Sequence, residues 1–375
     1  MHALNTNALP TFVRNPVFMK IVTIIGARPQ FIKAAVVSRA LRKDGNFQEV
    51  LVHTGQHYDA NMSDVFFKEL EITEPKYNLG IHAVSNSEMT ARMMQSLHGV
   101  LKSEMPDMVL VYGDTNSTLA GAMVAKQNHF KLAHVEAGLR SFNMLMAEEL
   151  NRVIADRLSD VLFCPTQTAV DNLKREGFEN YLSEMVLCGD VMYDATLFYR
   201  DKAEKQSEII SKLKLEDYIL VTMHRPENVD HAESLAAIVD ALNELNKKIR
   251  VVLPLHPRTK KQLAEWNLKF SFETISPVGY LDMIKLLNHC KLVMTDSGGL
   301  QKEAFFFRKH CIILRNETEW TELVQHGLNV LTGADKNKIL EAFEIMMIKN
   351  SDFDLHFYGN GDAGKIIADS LRNSI

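Results

Sequence analysis

Short apolar runs alternate with amphipathic stretches of helix length, and this alternation limits what the chain can fold into more than any other feature. From residue 20 onward, runs such as KIVTII, EVLVH, MVLVYG and KLAHVE are separated by amphipathic stretches at residues 31–44, 86–104 and 115–128. Strands that alternate with helices in this way form βαβ units, in which helices cover both faces of a parallel sheet. We therefore expect an α/β protein with doubly wound parallel sheets.

The alternation is interrupted over residues 190–217, where the sequence is charged and helical, and it restarts with YILVTMH. The chain has 375 residues, and single cores stop growing at roughly 250–300 residues. We predict two Rossmann-like domains, at residues 19–190 and 191–358. We expect residues 1–18 to be a poorly ordered extension, and residues 359–375 to form a helix that packs back on the first domain.

The composition limits which kinds of partner the protein is expected to bind and in which cellular compartment it is expected. The formal net charge of −5 favours neither a nucleic acid nor an anionic membrane surface as a partner. The four cysteines form no CxxC pair, which argues for a reducing cytoplasm and against a disulfide framework or a zinc site. No apolar run in the sequence approaches the roughly 20 residues that a membrane span needs. We expect a cytoplasmic protein.

Polar side chains follow the carboxyl ends of the predicted strands, where open parallel sheets bind ligands. In the first half of the chain these loops carry Arg28, Lys33, Gln56, His57, Asp114, Glu136 and Arg140. In the second half they carry His224, His256 and residues 295–303. Because the carboxyl ends of parallel strands meet at one edge, the pattern predicts a cleft between two facing domains.

The segment TDSGGLQKEA has the composition of an anion site. Gly298 and Gly299 leave backbone N–H groups uncovered at the positive end of a helix, which suits a phosphate. The alternative is a plain helix start, with Ser297 as the cap. Glu303 lies one turn further along and, taken alone, reads as a solvated helix residue. Arg28, at the first strand-to-helix turn, can pair a diphosphate through two donors.

Carboxylates form the second pattern. Asp114 and Glu136 follow two successive strands, and Glu148 or Glu149 begins the next helix. Asp114 could instead cap its helix, and the two glutamates could simply favour a helix N-terminus. Three carboxylates on one cleft wall fit general acid–base catalysis, in which neighbouring acids have different pKa values.

Several motifs are absent from the sequence. No GxGxxG follows the first strand, so a dinucleotide bound in the usual way is not expected. In the segment HTGQH, His53 and His57 are four residues apart but in a turn and not on a helix, so we do not expect them to bind a metal. We predict neither a cofactor nor a metal.

Nine stretches of the chain, taken in order, resemble the non-hydrolysing UDP-N-acetylglucosamine 2-epimerases. They are GARPQFIK, HTGQHYD, YGDTNSTLAGA, HVEAGLRS, EELNR, VTMHRPEN, PLHPRT, PVGYLDM and TDSGGLQKEA. The resemblance runs from about Lys20 to the C-terminus. It implies the two-domain GT-B architecture, a homodimer, and interconversion of UDP-GlcNAc and UDP-ManNAc for surface polysaccharide precursors.

The resemblance also implies roles for individual residues. The UDP group would be held by Arg28, His256, Ser297, Gly298 and Gly299, with His224 beside the diphosphate and Glu303 on the ribose. The catalytic set would be Asp114, Glu136 and Glu148, with Lys33 and His224 close to them. Gln56 and His57 match a region that binds a second, activating UDP-sugar in some relatives.

The chemistry of the sugar limits the mechanism. The C2–H bond is not next to a carbonyl group, so direct deprotonation to a stabilised carbanion is not open. Inversion could proceed by transient oxidation with NAD or by anti elimination of UDP to 2-acetamidoglucal and re-addition. The missing dinucleotide motif disfavours oxidation. Elimination needs donors on the departing diphosphate and a carboxylate for the C2 proton, and domain closure would exclude water.

The chain departs from the family pattern at several motifs. GTRPE is GARPQ here, QHxxM is QHYDANM, PEE is AEE, and TERPE reads TEWTE with Trp320 in place of an arginine. We expect Arg140, Glu319 and Trp320 beside the sugar. These variants resemble the branch that acts on UDP-2,3-diacetamido-2,3-dideoxyglucuronate. UDP-GlcNAc remains the first expected substrate and the uronate the alternative, while the altered QHxxM spacing argues against allosteric activation.

Three other functions fit parts of the pattern. A GT-B glycosyltransferase would share the architecture and the diphosphate site, but it needs a separate acceptor and only one strong base. A hydrolysing epimerase would release free ManNAc and UDP. A non-catalytic nucleotide-sugar binding protein would leave the three carboxylates without a purpose.

Overall fold

The computed structural model describes residues 18–56 and 70–373, whose strands form two parallel sheets. The strands of the first sheet are β1 (Met19–Ile25), β2 (Phe47–His53), β3 (Tyr77–Asn78), β4 (Met108–Tyr112), β5 (Lys131–Val135), β6 (Val161–Cys164) and β7 (Glu184–Leu187). Those of the second are β8 (Tyr218–Thr222), β9 (Arg250–Val252), β10 (Leu292–Thr295), β11 (Cys311–Ile313) and β12 (Asn329–Leu331). The strand orders are β3-β2-β1-β4-β5-β6-β7 and β12-β11-β10-β8-β9. The expected fold class, two doubly wound α/β units of GT-B type, is confirmed.

Helices follow most of the strands. In the first part of the chain they are α1 (Arg28–Asp44), α2 (Asn86–Glu104), α3 (Asn116–Gln127), α4 (Ala147–Leu158), α5 (Gln167–Arg175), a 3₁₀ turn (Phe178–Asn180), α6 (Val191–Gln206) and α7 (Ile209–Lys212). In the second part they are α8 (Pro226–Val229), α9 (Ala232–Leu245), α10 (Pro257–Glu265), α11 (Tyr280–His289), α12 (Gly298–Phe306), α13 (Thr321–Gln325), α14 (Lys336–Ile348) and α15 (Ala363–Asn373). Among the described residues no helix combines the length and apolarity of a membrane span.

The central strands are buried on both faces, which explains their continuous apolar sequences. In β1, Ile21 and Ile25 belong to the same core as α1, whereas Val22 and Ile24 pack with α2 and α3 on the other face. The core beside α1 continues through α6 to one face of the second sheet. One continuous apolar core therefore packs against a face of each sheet.

The strand register places the functional loops at one edge of each sheet. Tyr112 of β4 is level with Val135 of β5, and Thr295 of β10 is level with Thr222 of β8. The loops that follow these strands therefore emerge side by side.

The last helix, α15, lies against α1. Arg372 donates to Asp44 at 2.6 Å, and a Cβ on Gly364 would lie 2.8 Å from Val36. Asp194 of α6 accepts from the N–H of Gly364 at 2.9 Å. The chain thus returns to the first sheet after completing the second.

Candidate active site

Glu136 lies between two lysines directly after β5. Its backbone is left-handed, with a φ of 73°, and its N–H donates to the carbonyl of Phe163 at 3.1 Å. Lys33 of α1 donates to Oε2, and Lys302 of α12 donates to Oε1 at 2.9 Å. Each oxygen of this buried carboxylate therefore carries a cationic partner.

The two lysines decide the ionisation of Glu136. Burial by itself raises the pKa of the carboxyl group, but the charges of Lys302 and Lys33 outweigh burial and hold the pKa of Glu136 well below its ordinary value. Burial lowers the pKa of Lys302, but Asp190 and Glu136 together raise it above the ordinary lysine value. Glu136 is therefore a carboxylate at physiological pH.

Asp114 reaches the same wall from the loop after β4. The N-cap of α3 is Thr115, whose side chain accepts from the N–H of Thr118, so the capping role considered for Asp114 belongs to its neighbour. The Asp114 carboxylate accepts instead from the guanidinium of Arg152, and its backbone carbonyl accepts from Asn151 at 2.9 Å. With 30 % of its side chain exposed, Asp114 is accessible from the cleft.

Glu148 and Glu149 are neighbours at the start of α4 with different surroundings. Glu149 is buried and accepts from the backbone N–H and the hydroxyl of Ser141, each at 2.9 Å, and from Arg152 at 2.8 Å. Glu148 is 36 % exposed and accepts from Arg225 of the opposite unit at 2.7 Å. Of the two, Glu148 is the cleft residue and Glu149 supports the loop before the helix.

Asp296, at the end of β10, fixes the loop that carries the first histidine of the second unit. Its buried carboxylate accepts from the backbone N–H groups of His224 and Arg225 and from the side chain of Asn228, all at 3.0–3.1 Å. It also lies 3.4 Å from Nδ1 of His224. This carboxylate orients both the backbone and the ring of His224.

His224 and His256 lie together, with ring centroids 5.4 Å apart. Nδ1 of His256 accepts from the backbone N–H of Arg258 at 3.2 Å, so Nε2 carries the proton of the neutral ring. Desolvation, with the nearby charges of His224, Arg28 and Arg258, lowers the pKa of His256. Burial also lowers the pKa of His224, against the attraction of Asp296. Both shifts favour the neutral form of the rings.

Gln30 joins the loops after β1 and β4. Its Oε1 accepts from the N–H groups of Gly26 and Ala27 at 2.7 and 3.0 Å, and its Nε2 donates to the carbonyl of Tyr112 at 2.8 Å and the hydroxyl of Thr115 at 2.9 Å. The glutamine therefore fixes the turn before Arg28 relative to the loop that carries Asp114.

The approach of the two loops also explains the glycine at position 26. A Cβ on Gly26 would lie 2.1 Å from the Thr54 hydroxyl and 2.2 Å from that of Ser117. Gln56, from the next loop, accepts from the backbone N–H and hydroxyl of Ser117 at 3.2 and 2.9 Å. Gln56 thus supports the start of α3, while His57 lies outside the described residues.

The start of α12 presents backbone donors, as the glycines predict. Ser297 is the N-cap but makes no side-chain capping bond, and a Cβ on Gly299 would meet no atom within 4 Å. The first N–H groups of a helix have no partner within it, so they can bind an anion. Glu303, one turn further, is half-buried; burial, opposed by Lys302, raises its pKa to about 7.

Two expected sugar-side residues are buried beside the start of α12. Trp320 is 3 % exposed, its Nε1 donates to the carbonyl of Gly298 at 2.8 Å, and its ring lies 4.3 Å from Nζ of Lys302. Glu319 is also buried and binds Arg315 through two contacts of 3.1 Å. Trp320 therefore supports the glycine turn, while Glu319 also lies 3.9 Å from Arg152 of the facing unit, the residue that pairs with Asp114. The expectation that these side chains lie beside the sugar stays a prediction.

Arg140 is directed away from the cleft. Its side chain is 1 % exposed, and it donates to Asp156 at 2.7 Å and to Glu176 at 2.6 and 2.9 Å. The same Asp156 carboxylate lies 2.7 Å from Nδ1 of His134. Arg140 is thus part of a buried ion-pair network, and its expected place beside the sugar stays a prediction.

Sequence reasoning overlooked residues that hold the site together. They are Gln30, Arg152, Asp190, Arg225, Asp296 and Lys302. Each lies within or beside a motif that was noticed for another residue, so the signal was present. The sequence pattern does not show in which direction each of these side chains points. Among the described residues no group of three or more His, Cys, Asp or Glu side chains is placed to hold a metal.

Comparison with protein families and solved structures agrees with this geometry. Residues 39–372 match the family model described as UDP-N-acetylglucosamine 2-epimerase. The chain is 51 % identical over 354 residues to UDP-2,3-diacetamido-2,3-dideoxy-D-glucuronate 2-epimerase of Pseudomonas aeruginosa, with 94 % of this chain and 99 % of that protein covered.

Two solved structures have the same fold over 95 % of this chain and the whole of theirs. UDP-GlcNAc 2-epimerase of Methanocaldococcus jannaschii, in complex with UDP-GlcNAc and UDP, has a TM-score of 0.89 at 42 % identity. UDP-GlcNAc 2-epimerase of Neisseria meningitidis, bound to UDP-GlcNAc, has a TM-score of 0.86 at 30 % identity.

Proposed function

The chain belongs to the UDP-N-acetylglucosamine 2-epimerase family and is therefore an isomerase, and on this premise we propose that it inverts C2 of a UDP-sugar by anti elimination of UDP and re-addition. The observation that carries the proposal is the contact between Glu148 and Arg225 at 2.7 Å. It joins the wall that bears Asp114, Glu136 and Glu148 to the wall that begins with His224.

The donors of the second unit would stabilise the departing diphosphate. The N–H groups at Gly298 and Gly299 and the rings of His224 and His256 are the donors that we assign to it from the second unit, and Arg28 adds a donor from the first. Negative charge develops on the diphosphate as the C1–O bond breaks, and fixed donors stabilise that change without reorganising. A carboxylate of the facing wall takes the C2 proton, and return of a proton to the opposite face gives the epimer.

Elimination and re-addition require that water be kept from the glycal intermediate. The buried bond between Lys302 and Glu136 and the pair of Glu148 and Arg225 both connect the two walls. A third contact of this kind is the hydrogen bond from Asn143 to Glu317 at 2.7 Å. We propose that these contacts hold the cleft closed around the sugar.

For the substrate we propose UDP-2,3-diacetamido-2,3-dideoxyglucuronate, with UDP-GlcNAc as the second candidate. As the default substrate of the family, UDP-GlcNAc is slightly ahead from the sequence, although the variant motifs resemble the uronate branch. The identity of 51 % to the Pseudomonas aeruginosa enzyme, against 42 % to the Methanocaldococcus jannaschii one, now favours the uronate.

Side-by-side turnover of the two UDP-sugars tests this choice. We expect kcat/KM for the diacetamido uronate to exceed that for UDP-GlcNAc by a wide margin. The reverse preference would return UDP-GlcNAc to first place and leave the 2-epimerase reaction unchanged. Dependence of turnover on an added acceptor would support a glycosyltransferase instead.

Several expectations from the resemblance remain proposals. We propose a cytoplasmic homodimer and a domain boundary near residue 190. Gln56 and His57 match the activator region of some relatives, but the altered QHxxM spacing predicts no activation by a second UDP-sugar. Analytical ultracentrifugation tests the dimer, and addition of UDP-GlcNAc to assays with the uronate tests for activation by a second nucleotide sugar.

A further inference from the structure

Four charged side chains form a buried row between the two sheets. Lys33 of α1 contacts Glu136, which contacts Lys302 of α12, which contacts Asp190 at the start of α6. Lys302 and Asp190 are each 1 % exposed, and their contact is 2.5 Å long. Buried charges are unfavourable unless each is paired, so this row requires all four members.

Lys302 has the central place in the row. It lies on the same nine-residue helix that begins at Gly298, the proposed diphosphate site. Its ammonium group is 2.9 Å from Oε1 of Glu136, on the opposite unit, and 4.3 Å from the ring centre of Trp320. One short helix therefore connects the leaving-group site directly to a carboxylate of the facing wall.

We propose that Lys302 is a positioning residue that holds the Glu136 carboxylate, ionised and in a fixed orientation, from the helix that binds the diphosphate. The inference rests on the proposed function, since it gives Glu136 an acid–base role. Lys302 does not need to touch the sugar; it acts through Glu136. The ring of Trp320 covers the ammonium group of Lys302, and Asp190 is the second anion that pairs with it.

The charged groups around Glu136 determine what removal of Lys302 should do. Lys33 faces it from α1, Lys302 from α12, and Asp190 lies behind Lys302 at the start of α6. Two further carboxyl groups, Glu303 and Glu322, interact with the charges of Lys302 and Asp190. Without Lys302, one cation and several anions remain around a buried carboxyl group, so its pKa should rise.

The test is the variant Lys302→Gln, whose amide can still donate to Glu136 but carries no charge. The Glu136 carboxyl signal is followed by NMR in protein labelled at the glutamate δ-carbon and assigned by its loss in Glu136→Gln. We expect the titration midpoint of Glu136 to lie about one to three pH units higher in Lys302→Gln than in the wild type, as for loss of one close opposite charge. The acid limb of kcat/KM should move upward with it.

Three further variants make the result specific. Lys302→Arg retains the charge and should restore the wild-type midpoint. Lys291→Gln removes an exposed lysine, paired with Asp217 at 3.1 Å, and should change neither property. If Lys302→Gln does not fold, Lys302→Gln with Asp190→Asn removes both charges of the pair. Asparagine can still accept the capping bond from Met192 at 2.7 Å, and the same upward shift is expected.

An unchanged Glu136 midpoint in folded Lys302→Gln would overturn the inference, even if turnover fell. An absence of 2-epimerase turnover in the wild type would instead contradict the proposed function. The NMR titration separates the two cases because it needs no substrate.

Discussion

Oε1 of Glu148 accepts a hydrogen bond from Nη1 of Arg225 at 2.7 Å, across the cleft between the two sheets. Glu149, one residue further, is turned away and buried among donors of its own unit. Two adjacent carboxylates on one helix thus have different surroundings. Their substitutions should have different consequences.

We expect Glu148→Gln to lower kcat about 10²–10⁴-fold, the range for loss of a general acid or base, with little change in thermal stability. Glu149→Gln should lower the free energy of unfolding by about 3–5 kcal/mol, since it breaks a buried pair and leaves Arg152 with less compensation. Steady-state kinetics and denaturant unfolding on both variants check this. Equal loss of stability in the two variants would contradict the different roles.

Trp320 provides a second test, because its ring covers Lys302 and its Nε1–H holds the carbonyl of Gly298. Trp320→Arg restores the residue that the family motif has at this position, but it buries a cation beside Lys302. We expect a large fall in the melting temperature and an unchanged ratio of kcat/KM for the two UDP-sugars. Trp320→Phe, which retains the ring, is the matched control and should be milder. A switch in substrate preference without loss of stability would mean that this residue acts on the sugar directly.

Gln30 is expected to affect both stability and nucleotide binding. Gln30→Met removes the acceptor of the Gly26 and Ala27 N–H groups and one of two donors to the Tyr112 carbonyl, which keeps the Thr118 hydroxyl. Each buried group left unpaired costs about 1–3 kcal/mol. The turn that carries Arg28 should also loosen and raise KM. Gln30→Glu, which retains the acceptor oxygen, should have a smaller effect on both. If Gln30→Met is destabilised but keeps the wild-type KM, the hydrogen bonds of Gln30 do not affect ligand binding.

The pKa of Glu303, raised to about 7, predicts pH-dependent binding. If its carboxylate accepts the ribose hydroxyls, protonation removes the charged acceptor, so the Kd for UDP-GlcNAc should rise as the pH falls from 8 to 6. Protonation of His224 and His256 acts in the opposite direction, because it adds positive charge beside the diphosphate. The comparison is therefore with Glu303→Gln, in which the weakening at low pH should disappear. Isothermal titration calorimetry measures it, and parallel pH profiles for the two proteins would contradict the assignment.

The fold was predictable because the strand and helix periods are local. The continuous apolar run MVLVY became the fully buried β4, and the two glycines after β10 became the start of α12. The positions of Asp114, Glu136 and Glu148 at strand and helix ends also followed from the order of elements. The exact domain boundaries and the homodimer stay predictions.

Side-chain direction could not be predicted from motif membership. Arg140 closely follows Glu136 in sequence, yet its side chain is buried in a network with Asp156 and Glu176. The indole of Trp320 is buried against the carbonyl of Gly298. Lys302 precedes Glu303 in the same motif, but its partner Glu136 is 166 positions away in the chain. Pairs of this kind depend on how the two sheets face each other, which the local pattern does not contain.

Proton exchange at C2 tests the central claim most directly. The wild-type protein is incubated in D2O with UDP-2,3-diacetamido-2,3-dideoxyglucuronate alone, and in parallel with UDP-GlcNAc, and the products are followed by ¹H NMR. We expect the C2-epimer of at least one UDP-sugar, with deuterium at C2 and no added acceptor or cofactor. Epimer formed without deuterium at C2 would contradict exchange of the C2 proton with solvent, and no epimer from either sugar would contradict the proposed reaction.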